Sequence, residues 1–140
     1  MFSENHKYSR KIVAENFENK FFENNRLGKW DTTLVSHDDN LIIFMNINVP
    51  GKSGHFFYNN YNPSTKEVTW YGRPGTHSEQ PLMQRLIQNQ ISPFIFARWD
   101  NSDEFTFIGV GNYISHTDGV VGFDSDKNEI KTLEVKFNYA

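Results

Sequence analysis

The segment 69–78 carries the side chains most able to do chemistry in this sequence. They are Trp70, Tyr71, Arg73, His77 and Ser78, and they stand where a predicted strand ends in a Gly- and Pro-rich loop. An arginine offers a planar fork of donors to a phosphate group or a guanine edge. Aromatic faces can stack on an exposed base, and glycine lets the backbone approach a ligand closely. The same segment also fits a plain hairpin end, with Trp70 in the core and Arg73 in a surface ion pair.

A second candidate group is basic and lies at the start of the first predicted helix. It consists of Lys7, Tyr8, Arg10 and Lys11. The N-terminal end of a helix presents amide donors and partial positive charge, so a phosphate group could bind there. The alternative is an ordinary solvated helix end. Arg85, in a weakly amphipathic segment, and Arg98, after an apolar strand, are further cationic candidates.

One short pattern could indicate nuclease chemistry. Glu134-Val135-Lys136 has the Glu-x-Lys form of a large class of restriction nucleases, and the spacing puts both polar groups on one strand face. A second carboxylate for a magnesium ion could come from Asp118, Asp124 or Asp126. Alternating charges are equally typical of any exposed strand, so the pattern is weak. The sequence has no HExxH, GxSxG or GxxxxGK[ST] motif, so we expect no zinc site, serine hydrolase or motor.

Composition limits the class of protein. The chain has 140 residues, 37% of them hydrophobic, which suits one globular domain over 1–140. No apolar run approaches the ~18 residues of a membrane helix. The absence of cysteine and of a visible secretory signal leads us to expect a cytoplasmic protein. The net charge of −3 argues against a general polyanion binder and leaves room for a local basic groove.

Two helices are predicted from local patterns. Between Ser9 and Phe22, four apolar residues recur at helical spacing and Ser9 could cap the first turn. They are Ile12, Val13, Phe17 and Phe21. The segment from Pro81 to Gln90 has leucines at helical spacing and a proline suited to a first turn.

Most of the remaining chain has strand patterns. The runs 55–61 and 66–71 flank Asn62-Pro63-Ser64-Thr65, a turn sequence, and should form a hairpin. Further strands are predicted at 41–45, 94–96, 105–110, 120–121 and 129–139. In the last of these, Leu133, Val135 and Phe137 should lie on one face, and Thr132, Glu134 and Lys136 on the other. We therefore expect an α+β fold: a mostly antiparallel, curled sheet or half-open β-barrel of about seven strands with one or two short helices.

Four short motifs, in order, resemble a known family. They are Tyr8-Ser9-Arg10-Lys11, Thr69-Trp70-Tyr71-Gly72-Arg73 with Ser78 following, Phe94-Ile95-Phe96-Ala97-Arg98, and Phe105-Thr106-Phe107-Ile108-Gly109. This order resembles a domain of unknown function found at the C-terminal end of bacterial superfamily II helicases and beside restriction-type (HNH) nucleases. Gly72 stands where that family usually has a serine, and Ala97 where it has a valine. The resemblance implies a DNA-recognition or accessory module of a restriction system active in phage defence.

We therefore predict a non-catalytic DNA-binding domain that works with a nuclease or helicase in the same or a partner chain. It would read sequence or a modified, flipped base, without a cofactor, metal ion or membrane. The predicted DNA-binding residues are Lys7, Tyr8, Arg10, Lys11, Trp70, Tyr71, Arg73, His77, Ser78, Arg85 and Arg98. The alternatives are a small magnesium-dependent nuclease using Glu134 and Lys136, and a protein-interaction module that docks a helicase or nuclease.

Overall fold

A single curled sheet that does not close into a barrel organises the described part of the chain. The computed structural model describes residues 2–23, 26–47, 59–124 and 126–139. The strands within these ranges are β1 (Lys7–Tyr8), β2 (Leu34–His37), β3 (Asn40–Asn46), β4 (Asn60–Asn62), β5 (Glu67–Tyr71), β6 (Ser92–Arg98), β7 (Phe105–Phe123) and β8 (Glu129–Tyr139). The helices are α1 (Arg10–Glu18) and α2 (Pro81–Ile87), and a 3₁₀ turn covers Gly28–Trp30.

The strand order is β2-β3-β6-β7-β8-β5-β4, and β1 pairs with β7 beside this path. Every neighbouring pair is antiparallel except β3 and β6, which run parallel from the pair Asn40–Ser92 to the pair Asn46–Arg98. The predicted α+β class, mostly antiparallel and curled, is confirmed. The predicted hairpin is confirmed for β4 and β5, whereas residues 55–58 of its first strand lie outside the described residues.

Helix α1 begins as predicted and ends early. Ser9 caps it, because the Ser9 hydroxyl accepts a hydrogen bond from the Ile12 amide at 3.2 Å. The helix stops before Asn19, which takes a left-handed backbone conformation (φ 51°) and closes the C-terminus. Phe21 is therefore outside the helix and 73% exposed, and Ile12 is 43% exposed. The predicted extension of the helix to Phe22 is therefore wrong.

The two faces of the sheet carry separate cores. On one face, α1 contributes Val13 and Ala14 to a cluster rich in aromatic rings, with Trp30 and Phe44 at its centre. On the other face, α2 contributes Met83 and Leu86. Pro81 occupies the first turn of α2, as predicted. None of the helices in the described ranges is long and apolar enough to cross a membrane.

Strands β7 and β8 are the longest pair and extend past the rest of the sheet. Residues 120–121, predicted as a separate strand, are the far end of β7. Strand β5 ends at Tyr71, opposite Glu134, so the part of β8 before Glu134 pairs with β7 on one side only. On the other side, the loop after β5 covers Thr132, which is 1% exposed.

Candidate nucleic-acid interface

The loop that follows β5, residues 72–78, folds back on itself through a tight turn. Pro74 and Gly75 occupy its two central positions, with Gly75 at φ 91°, and the Thr76 amide donates to the Arg73 carbonyl at 3.0 Å. Proline followed by a residue of positive φ is typical of a type II turn. This turn brings Thr76 back against Gly72, at the end of β5.

Strand β8 holds this loop in place. The Gly72 amide donates to the Leu133 carbonyl at 3.0 Å, and the Gly75 amide donates to the Lys131 carbonyl at 2.8 Å. The Thr132 hydroxyl lies at 2.7 Å from the Gly72 carbonyl and at 2.8 Å from the Arg73 carbonyl. The loop therefore continues β5 alongside β8, and the backbone of Arg73 is fixed by contacts on both sides.

Arg73 borders a cleft of about 230 Å³ that we call the Trp70 cleft. Its lining residues are Thr32, Thr33, Leu34, Trp70, Arg73 and Thr76. Trp70 is only 3% exposed and, with Leu34, gives the cleft an apolar floor. The Thr32 hydroxyl is used locally, because its one hydrogen is shared between the carbonyls of Lys29 and Leu34, which lie 3.2 Å and 3.0 Å away.

Three polar groups around the Trp70 cleft have no protein partner among the described residues. They are the Arg73 guanidinium and the hydroxyls of Thr33 and Thr76, for which the described part of the chain offers no hydrogen bond or ion pair. A guanidinium only donates, whereas a threonine hydroxyl both donates and accepts. A cleft with an apolar floor and a few convergent polar groups is the usual form of a small-ligand site.

Tyr71 lies away from this cleft, because neighbouring residues of a strand point to opposite faces. Its hydroxyl donates to a carboxylate oxygen of Glu134 at 2.7 Å, across the β5–β8 pair. Burial, followed by this hydrogen bond, raises the pKa of Tyr71 to about 12. The predicted aromatic pair is thus split: Trp70 reaches the cleft and Tyr71 holds Glu134 on the outer face.

His77 and Ser78 border a second, more open cleft of about 540 Å³, which we call the His77 cleft. The Ser78 amide and hydroxyl both donate to Asp118 on β7, and the amide distance is 2.8 Å. These hydrogen bonds lower the pKa of Asp118, with the Ser78 hydroxyl as the largest cause. Ser78 is therefore an anchor of the loop, while the His77 ring is exposed.

The predicted basic group is divided in the structure. Lys7 forms an ion pair with Asp103 at 2.8 Å, and the hydrogen bond to Asp103 raises the pKa of Lys7. The Tyr8 hydroxyl accepts a hydrogen bond from the Ser3 amide at 2.9 Å. The Lys11 ammonium lies 4.7 Å from the centre of the Phe21 ring, at the surface of α1.

Arg10 points inward. Its guanidinium donates to the carbonyls of Trp30 and Thr32 and lies over the rings of Phe44 and Phe105, at 4.6 Å and 4.9 Å. Burial, and then the nearby charge of Arg98, lower the pKa of Arg10 to about 10. Arg10 thus fixes the chain just before Thr33 and Leu34, which form one wall of the Trp70 cleft.

The last two predicted cations also have protein partners. Arg98 donates to the Asn46 side-chain oxygen at 2.7 Å and lies 4.4 Å from the centre of the Phe105 ring. Arg85 lies 3.4 Å from Asp39. Arg98, Arg10 and Lys11 border a third cleft of about 430 Å³, which carboxylates also line. This third cleft therefore has mixed charge.

The residues of the nuclease alternative are dispersed. Glu134 is bonded to Tyr71, and Asp118 to Ser78. Asp124 accepts hydrogen bonds from the Asp126 and Asn128 amides and so shapes the turn between β7 and β8. No group of three His, Asp or Glu residues within the described ranges is arranged to hold a metal ion.

Sequence reasoning named Trp70 and Arg73 as binding residues and missed the other four residues of the Trp70 cleft: Thr32, Thr33, Leu34 and Thr76. Thr33 and Leu34 precede and begin an edge strand, and they reach Trp70 only through the curvature of the sheet. Thr76 had a local clue, since the Pro74-Gly75 turn must reverse the chain toward Gly72. No local pattern in the sequence indicated the burial of Thr132, because that burial depends on a loop about 60 residues earlier in the chain.

The chain matches no model of a known protein family and no curated protein. It does match solved structures. One is an MspJI restriction endonuclease in complex with a 27-mer oligonucleotide, with a TM-score of 0.54 and 13% identity, over 77% of this chain and 31% of that chain. The DNA modification-dependent restriction endonuclease AspBHI gives a TM-score of 0.52 and 13% identity, over 72% of this chain and 55% of that chain.

A third similar structure is the modification-dependent TagI restriction endonuclease, with a TM-score of 0.54 and 11% identity, over 95% of this chain and 48% of that chain. At such low identities the likeness concerns the fold alone. The chain covers between 31% and 55% of the length of these three proteins. Its curled sheet is therefore a fold that is also found within restriction endonucleases.

Proposed function

We propose that this chain is a DNA-recognition domain of a restriction-type system and that it binds a single base in the Trp70 cleft. The observation that carries the proposal is the cleft itself. It combines an apolar floor with three polar groups that have no partner among the described residues, on a fold similar to that of restriction endonucleases. The hydroxyls of Thr33 and Thr76 are half-buried, where polar groups are normally paired, and the exposed Arg73 guanidinium lies beside them, so the three groups suit a ligand.

The size of the cleft favours one base. Its 230 Å³ equals roughly eight water molecules at ~30 Å³ each, which suits one nucleobase and is too small for a base pair. A base from a duplex must therefore leave the stack before it enters, at a cost of a few kcal/mol. In the bound state, Arg73 donates to acceptors on the base, and the threonine hydroxyls complete the contacts.

Few phosphate contacts support this binding, because the chain is acidic overall. Among the predicted DNA-binding residues, Lys11 and His77 form no ion pair with a carboxylate within the described ranges, and both lie at the surface. We assign them the backbone contacts. Arg10 acts indirectly, through the wall that carries Thr33 and Leu34. DNA contacts by Lys7, Tyr8, Tyr71, Ser78, Arg85 and Arg98 stay predictions.

A modified base and a nuclease partner complete the proposal. Two of the similar structures are named as modification-dependent endonucleases, and the chain covers only part of each. We therefore propose that the domain selects modified DNA for a nuclease or helicase in the same or a partner chain, in the cytoplasm and in phage defence. Val121 and Phe123, both about half exposed on the β7–β8 ribbon, offer an apolar contact for that partner.

The test is a mobility-shift panel at low salt. It compares duplexes with unmodified, 5-methylated or 5-hydroxymethylated cytosine and the corresponding single strands. We expect tightest binding to one modified duplex or to a single strand, with increased fluorescence of a 2-aminopurine placed opposite the target base. Absence of binding to every DNA at about 50 mM salt, where phosphate contacts are strong, would refute the proposal. Cleavage of plasmid by the purified protein with magnesium would favour the nuclease alternative.

A further inference from the structure

Gly72 and Thr76 share one space at the rim of the Trp70 cleft. A Cβ atom added to Gly72 would lie 2.7 Å from each of the Cβ, Cγ2 and Oγ1 atoms of Thr76. Real Cβ contacts are longer than this, so any side chain at position 72 would displace Thr76. The backbone of Gly72 is not in the left-handed region, so packing against Thr76, and not backbone conformation, requires glycine there.

The surroundings prevent the two residues from moving apart. The Thr76 amide is bonded to Arg73, and the carbonyl and amide of Gly72 are bonded to Thr132 and Leu133. The Thr76 side chain therefore occupies the place that a side chain of residue 72 would otherwise take. From that place its hydroxyl, which has no hydrogen bond within the described ranges, borders the cleft beside Trp70 and Arg73.

We infer that Thr76 is the specificity-determining residue of the Trp70 cleft and that Gly72 gives it the necessary room. The inference rests on the proposed function and names the residue that discriminates among ligands. Arg73 can only donate hydrogen bonds, whereas the Thr76 hydroxyl can accept one. Together they favour a base edge that presents an acceptor to Arg73 and a hydrogen-bonding group, donor or acceptor, to Thr76. A base edge that offers no hydrogen-bonding group at that place leaves the Thr76 hydroxyl unpaired in a half-buried position.

The first experiment changes Thr76 alone. We measure the affinity of Thr76→Val, Thr76→Ser and the control Thr65→Val for the DNA that the wild type binds best. Thr76→Val keeps the shape and removes the hydroxyl, so we expect a loss of about fivefold to fiftyfold. Thr76→Ser keeps the hydroxyl and should stay within about threefold. Thr65→Val changes an exposed threonine in the β4–β5 turn and should bind as the wild type does.

The second experiment exchanges the two residues. Gly72→Ser alone should lower the melting temperature by about 3–10 °C, because the introduced hydroxymethyl group and the Thr76 side chain would compete for one space. Gly72→Ser combined with Thr76→Gly removes that conflict and returns a hydroxyl to the same place. We expect the double variant to melt within a few degrees of the wild type and to bind better than Thr76→Val.

The outcomes separate this inference from the proposed function. If the wild type binds DNA and Thr76→Val binds equally well, Thr76 does not determine specificity. If Gly72→Ser melts and binds as the wild type does, the two residues do not share a space. Either result alone overturns the inference and does not affect the proposed function. If the wild type binds no DNA, the proposed function and the ligand contact of Thr76 fall together.

Discussion

Thr132 is the residue whose replacement tests the loop architecture most directly. It is the polar residue that the described part of the chain buries most completely, and its hydroxyl lies at 2.7 Å and 2.8 Å from the carbonyls of Gly72 and Arg73. Thr132→Val replaces the hydroxyl by a methyl group of nearly the same shape. Because a hydroxyl has one hydrogen to donate, the change removes the hydrogen bond that these two carbonyls share, and it creates almost no cavity.

The expected loss of stability follows from the hydrogen bonds that the Gly72 and Arg73 carbonyls keep after the substitution. The Arg73 carbonyl keeps the hydrogen bond from the Thr76 amide, whereas the Gly72 carbonyl is buried and has no second donor within the described residues. One buried acceptor without a partner costs about 1–3 kcal/mol. For a chain of 140 residues the entropy of unfolding is about 0.3 kcal/mol/K, so the melting temperature should fall by about 3–10 °C.

The assay is thermal unfolding followed by circular dichroism, together with DNA affinity at a temperature where every variant is folded. Thr132→Ser keeps the hydroxyl and should recover most of the stability. Thr117→Val, at an exposed position on β7, is the matched control and should change the melting temperature by a degree or two. We expect Thr132→Val to weaken DNA binding as well, because Arg73 loses its fixed position. A Thr132→Val protein that melts and binds as the wild type does would refute the reasoning.

Four further predictions follow from the charged and titratable groups. Arg73→Ala should weaken specific binding by about tenfold to a hundredfold and change the melting temperature little. The control Arg26→Ala, outside the cleft, should bind as the wild type does. If Arg73→Ala instead lowers the melting temperature strongly and binds normally when folded, Arg73 has a structural role. A plot of the logarithm of the binding constant against the logarithm of the salt concentration should have a slope of about −3 to −5. Lys11→Ala should make this slope shallower for all DNA sequences. A slope of about −10 would contradict an interface with few phosphate contacts. Glu134→Ala should leave DNA binding nearly unchanged, and the wild type should not nick plasmid with magnesium; cleavage abolished by this change would establish the nuclease alternative. Because burial, and then the Glu134 contact, raise the pKa of Tyr71 from 10 to about 12, its stabilising contribution is fully present below pH 10 and is lost as the pH rises toward 12. Tyr71→Phe should flatten the stability profile in that window, and an unchanged profile would contradict the raised pKa.

Local sequence patterns were sufficient to predict the helix ends, turns and strand faces that depend on residues only a few positions apart. Ser9 caps α1 through an amide three positions later, and Pro81 begins α2. The turn between β4 and β5 is closed by the Asn62 side chain, which accepts from the Ser64 amide at 3.0 Å. The alternation along β8 correctly placed Leu133, Val135 and Phe137 on one face, and the structure shows that this face lies in the core. Each of these features depends on spacing or capping that is readable without knowing the partners.

The roles of the polar residues depend on partners far away in the sequence. Lys7 meets Asp103 across 96 positions, and Ser78 meets Asp118 across 40. Arg10 looks like a helix-end cation in the sequence, but the 3₁₀ turn and two aromatic rings draw it inward. An isolated cationic or hydroxyl side chain has no periodicity of its own, so sequence cannot tell whether it will be paired within the protein or left for a ligand.

The Trp70 cleft is a product of the tertiary structure. The sequence indicated Trp70 and Arg73, because a strand followed by a Gly- and Pro-rich loop is a local pattern. The opposite wall comes from the start of β2, which lies at the far end of the strand order from β5 and reaches Trp70 because the sheet curls. Burial of Thr132 beneath the 72–78 loop then fixes Arg73 and Thr76 at the rim. Residue types and local turns were thus readable from the chain, whereas sheet order and curvature decided which side chains meet, since those depend on contacts between distant strands.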